Sequence, residues 1–73
     1  MRLRIQTKET YYIIDNVEGH YRIKDCGPVY LKTEIINKRV SRPREGLPLI
    51  IEIGDDDLLY RSRILSVTEI NHS

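Results

Sequence analysis

Three contiguous carboxylates, Asp55, Asp56 and Asp57, lie between the apolar runs "LPLIIEI" and "LLY" and look more like a site than anything else in the chain. Carboxylate oxygens ligate hard cations, but a calcium loop spreads them as D-x-[DN]-x-[DN]-G with a distant Glu. Contiguous side chains on an extended segment diverge instead, and no HxH or CxxC pair occurs elsewhere in the sequence. No metal and no cofactor is therefore expected. Asp and Gly favour turns and charge discourages edge pairing, so "GDDD" reads first as a solvated hairpin tip. Its second reading is an acidic docking patch for a protein partner. That patch would continue into Tyr60, Arg61 and Arg63 on the next strand, since exposed Tyr beside Arg is the usual composition of a binding hot spot.

The opposite charge gathers in "NKRVSRPRE", which carries Lys38, Arg39, Arg42 and Arg44. A basic loop near tyrosines such as Tyr30 has the parts of a single-stranded nucleic-acid groove: cations for phosphate and rings for base stacking. Against this, Lys+Arg 12 and Asp+Glu 11 leave a net charge of +1, which is not the footprint of a dedicated nucleic-acid binder. Glu45 and the acidic triplet would also repel a phosphate backbone unless they lie on another face. A solvated loop is the bland reading. Catalysis has less support. Cys26 stands before Gly27-Pro28 and His20 lies six residues earlier, but nothing orients the His as a base would need. Free cysteines are most often small buried hydrophobes, and His72 falls in a tail, 71–73, expected to fray. The chain reads as non-enzymatic.

These residues must be positioned by a small domain. With 73 residues the chain holds one domain at most, placed at 1–70, and there is little room for a deep substrate pocket. Cys26 is the only cysteine, so no intramolecular disulfide forms. The start "MRLRIQTKE" lacks the apolar stretch of a signal peptide, and no apolar run could span a bilayer, which points to a cytosolic protein with no membrane partner. A chain this small without staples is either a well-packed barrel or a homo-oligomer that gains stability by pairing edge strands.

Short β-branched and aromatic runs separated by turn residues dominate. "RLRIQT" sets Leu3, Ile5 and Thr7 against Arg2, Arg4 and Gln6. "YYIIDNV" follows a polar turn, and "YRIKD" alternates Tyr21 and Ile23 against Arg22 and Lys24 after the reversal "EGH". "CGP" ends that strand. "VYLKTEI" alternates again, with Val29, Leu31, Thr33 and Ile35 on one side. Leu31, Ile35 and Ile36 also fit helical spacing, but enrichment in Thr, Val, Ile and Tyr favours strand, with one short helical turn as the alternative. "SRPREGLP" is a loop, "LIIEI" is expected to be the most buried strand, and "RILSVTEI" closes the chain. The fold class is all-β: a five- to six-stranded barrel or bent meander, SH3-like or OB-like in shape. Without Phe or Trp, several of the five tyrosines must pack in the core. Adjacent Tyr11 and Tyr12 point to opposite faces, which leaves one of them outside.

The outline resembles small proteins encoded by bacteriophages and prophages. Those begin "M-[KR]-[IL]-x-[IT]-x-T" before a Tyr-rich strand, carry "G-x-P-L-x-[IV]", and end with "T-S-P-V-V-x-[IV]". Here "MRLRIQTKETYYII", "GLPLIIEI" and "RSRILSVTEI" stand in the same order, with Arg61-Ser62-Arg63 in place of Thr-Ser-Pro and the middle of the chain unmatched. The resemblance implies an accessory protein in a bacterial host's cytoplasm that binds a host protein and inhibits or recruits it by occlusion. It supplies no mechanism and no site residues.

Overall fold

The alternating runs become strands with the phases that their residues dictate. The computed structural model describes residues 1–70; the tail at 71–73, with His72, lies outside them. The strands are β1 (Arg2–Thr7), β2 (Tyr11–Val17), β3 (His20–Cys26), β4 (Arg39–Val40), β5 (Pro48–Glu52) and β6 (Leu58–Ile70), with one helix, α1 (Val29–Ile35), between β3 and β4. Each strand pairs antiparallel with the next, and β6 closes on β1 to complete a barrel. The expectation of a small closed β domain holds, with six strands. No helix among the described residues is long and apolar enough to cross a membrane.

Ile5 and Thr7 of β1, Tyr12 and Ile14 of β2, Ile23 and Cys26 of β3, and Leu49 and Ile51 of β5 point into the barrel and are buried. Val40, Ile64, Leu31 and Ile35 complete the core, with Leu3, Tyr21, Leu59 and Val67 packed against it. The segment "LIIEI" is therefore one-sided: Ile50 is half-buried and Ile53 exposed, and β5 is no more buried than β2. The β2–β3 hairpin turns on Glu18 (φ 54°) and Gly19 (φ 82°), both left-handed, as a type I′ turn requires. The β1–β2 turn is held by Thr7, whose amide and hydroxyl both donate to the Thr10 carbonyl at 2.8 and 2.9 Å, so its buried hydroxyl is satisfied.

Closure depends on the length of β6. An outward rung of the ladder runs from Ile70 through Arg2, Asp15, Arg22, Arg39 and Glu52 and arrives at Leu58, the other end of the same 13-residue strand. Tilted strands can close only with such a stagger. The first half of β6 accordingly pairs with β5 and its second half with β1. Three register shifts accommodate the curvature, one beside Lys24, one in the Arg61–Ser62 stretch and one at Leu65, as bulges do at barrel corners.

The strand expected over "VYLKTEI" is a helix. Only Leu31 and Ile35 are buried, while Val29 is 75% exposed and Thr33 is also exposed, so the four residues do not share a face. Seven residues are too few to hold a helix in water by themselves; this one is fixed by burying those two side chains over the barrel. An ion pair helps, Lys32 Nζ to Asp25 Oδ1 at 2.8 Å, and the same oxygen accepts the Cys26 amide at 2.8 Å. Gly27 makes the crossing possible. Its amide donates to the Tyr11 carbonyl, and a Cβ at this position would collide with the Thr10 hydroxyl.

Candidate functional site

The β5–β6 connection is a hairpin whose tip is the acidic triplet. The Ile53 amide donates to the Asp57 carbonyl at 3.1 Å and closes the turn, leaving Asp55, Asp56 and Asp57 all exposed. Among the described residues no three His, Cys, Asp or Glu side chains converge as metal ligands. The hairpin also exposes large apolar side chains. Ile53 is 43%, Leu58 49% and Tyr60 62% exposed, and Tyr60 stands across from Ile50, which is half-buried. Apolar side chains at the centre and carboxylates at the rim have the layout of a docking surface.

Tyr60, Arg61 and Arg63 do not act as one outward group. Tyr60 and Arg63 are exposed, but Arg61 is half-buried, and its Nε is buried with no partner among the described residues. Strict alternation along "YRSRI" is broken by the bulge, which lets both Arg61 and Ile64 face inward. Arg61 lies near two core residues. Burial pushes the Tyr12 phenol up, and the positive charge of Arg61 opposes that shift; the Cys26 thiol is also raised, by burial and then by Asp25, and again opposed by Lys32 and Arg61. A buried, unpaired guanidinium nitrogen is costly, and nothing else among the described residues explains it.

The residues expected to form a basic groove sit on β4, the turn before it, the loop after it and α1. Arg39 lies on the outer face of β4, opposite Arg22, with its Nε 3.6 Å from Glu52 Oε2. Lys38 precedes it in the turn after α1, where its carbonyl accepts the Ile23 amide. Arg42 and Arg44 are exposed in the β4–β5 loop on either side of buried Pro43, and Tyr30 is exposed on α1. His20 and Cys26 stand at opposite ends of β3, about 20 Å apart at strand rise, so they form no dyad.

The other tyrosines divide as the strand phases require. Tyr12 is buried, Tyr21 packs against the core, and Tyr11 is half-buried on the outer face, where Arg4 sits over its ring at 4.7 Å. That outer face holds the feature sequence reasoning passed over. An open groove of about 460 Å³ runs across β6, β1, β2 and β3, lined by Arg2, Ile13, Lys24, Asp25 and Ile70. Arg2 donates through Nε to Asp15 Oδ1 at 2.8 Å, and that hydrogen bond holds the Asp15 carboxyl below its ordinary range. The signal was present in the polar phases of "RLRIQT" and "YRIKD", but nothing local says that those two phases meet. No family model, curated protein or solved structure matches the chain.

Proposed function

We propose that this chain is a non-enzymatic binding module that docks on a protein through its β5–β6 hairpin. The observation that supports the reading is the cluster of exposed Ile53, Leu58 and Tyr60 directly beside exposed Asp55, Asp56 and Asp57. Apolar side chains supply the area and carboxylates select a basic surface, steering encounter over a range set by screening. With the phage-like outline of both ends, the partner is a host protein met in the bacterial cytoplasm, and the effect is inhibition or recruitment by occlusion.

The test uses affinity capture from bacterial lysate, comparing the wild type with Asp55→Lys/Asp56→Lys/Asp57→Lys and with Tyr60→Ala. A partner held through the hairpin is recovered by the wild type and lost from both variants, while circular dichroism shows both still folded. A partner recovered equally by all three removes the hairpin from the proposal.

A further inference from the structure

Around the six-stranded ring, β5 lies three strands from β2 in either direction, so the acidic hairpin and the outer face of β2 are on opposite walls. That separation keeps the triplet away from β1 and β2, while Arg39 at the far edge of the wall meets Glu52 at the base of the hairpin. The cations on the β1–β4 wall are Arg2, Arg4, Arg22, Lys24 and Arg39. Asp15 is engaged by Arg2, Glu52 by Arg39, and Asp25 by Lys32. Glu69 stands opposite Leu3, off the outward rungs. Arg4, Arg22 and Lys24 make no salt bridge among the described residues; Arg22 donates to the Asn37 carbonyl at 2.9 Å, and Lys24 acts on Asp15 only through space.

We propose that this wall is a second binding surface, independent of the hairpin, and that it takes single-stranded nucleic acid. Three interstrand steps make the basic wall about 14 Å wide, enough for a short stretch of a single strand. The groove itself is lined by Arg2, Lys24 and Asp25 around Ile13 and Ile70, and on the same face the Arg4 guanidinium lies over the Tyr11 ring. Planar guanidinium and phenol groups are stacking platforms for bases. An acidic peptide could pair its carboxylates with the same guanidinium groups, so the aromatic ring is what favours nucleic acid: a base can stack on it and a carboxylate cannot. Lys24 projects from a bulge beside the groove, where it can reach phosphate without leaving the sheet.

The measurement is fluorescence anisotropy of a labelled mixed-sequence oligonucleotide of about 15 nucleotides, as DNA and as RNA, with the whole chain. Three phosphate contacts at a slope of about −0.7 each predict affinity falling about twenty-fold between 50 and 200 mM salt. Arg4→Gln/Lys24→Gln, which removes charge without adding repulsion, should weaken binding at least about five-fold at 50 mM salt, and Arg4→Glu/Lys24→Glu should weaken it further. Arg42→Glu/Arg44→Glu should stay within about two-fold of wild type, because those residues lie off this wall. The proposal is overturned by no binding of either strand at 50 mM salt, by a loss that follows the loop variant instead of the Arg4/Lys24 variants, or by polyglutamate competing as well as unlabelled oligonucleotide.

Discussion

Replacing Ile35 and its neighbours on α1 separates two structures that the same residues could form. In the helix, Ile35 is 1% exposed and Val29 75% exposed. Ile35→Ala removes three buried carbons, about 2.4 kcal/mol at about 0.8 kcal/mol each. The cavity left over the barrel takes the total to about 3–4 kcal/mol. A chain of this length is stable by about 4–11 kcal/mol, so the variant loses a large share and can be partly unfolded at 25 °C. Ile35→Val is the milder probe, costing about 1 kcal/mol and lowering Tm by about 4–8 °C. Val29→Ala and Thr33→Ala touch exposed positions and should stay within about 0.5 kcal/mol, shifted towards stabilisation by the helix propensity of Ala. Urea unfolding followed by far-UV circular dichroism gives all four values, and unchanged m-values show that the unfolded states are comparable. In a strand, Val29, Thr33 and Ile35 would share one face. Comparable losses at all three would refute the helix and the barrel end it covers.

Glu18 holds a left-handed conformation that a residue with a long side chain disfavours, so Glu18→Asn, which gives the Asn-Gly pair preferred in a type I′ turn, should raise stability by about 0.5–1 kcal/mol in the same assay. The Asp15 carboxyl is held down first by its hydrogen bond from Arg2. Its contribution is therefore complete above the ordinary carboxylate value near 3.8 and is lost as pH falls through the lower folded value. Asp15→Asn should lower stability at pH 7 and flatten the acid limb of the stability–pH curve; a residual slope remains, because Asp25 is held down by Lys32 in the same way, and an unflattened limb would contradict the pairing. Burial raises the Tyr12 phenol above its ordinary value of 10.0, so its stabilisation is complete below that pH and disappears as pH rises through the folded value. Tyr12→Phe should lessen alkaline unfolding, tracked by the Tyr absorbance change, leaving the part due to the Cys26 thiol, which burial also raises.

The sequence by itself determined the parts governed by neighbours along the chain. Leu3, Ile5 and Thr7 share a face because strand side chains alternate, and "EGH", "CGP" and "GDDD" end strands because Gly, Pro and Asp act locally. The acidic triplet was legible as a turn for that reason, and so was the division of Tyr11 from Tyr12. Tertiary structure decided what depends on the remote partner. "VYLKTEI" satisfies both a period of two and a period of 3.6, and the barrel end it covers selects the helix. Arg61 is turned inward by a bulge that exists only in the pairing of β6 with β5, where Pro48 stands opposite Arg63 and Ile50 opposite Tyr60. The basic face exists only because antiparallel pairing sets the polar phase of β1 beside those of β2 and β3, while closure puts β5, which leads into the acidic hairpin, farthest from β2. Periodicity tells each strand which residues face outward; only register and closure decide which outward residues become neighbours.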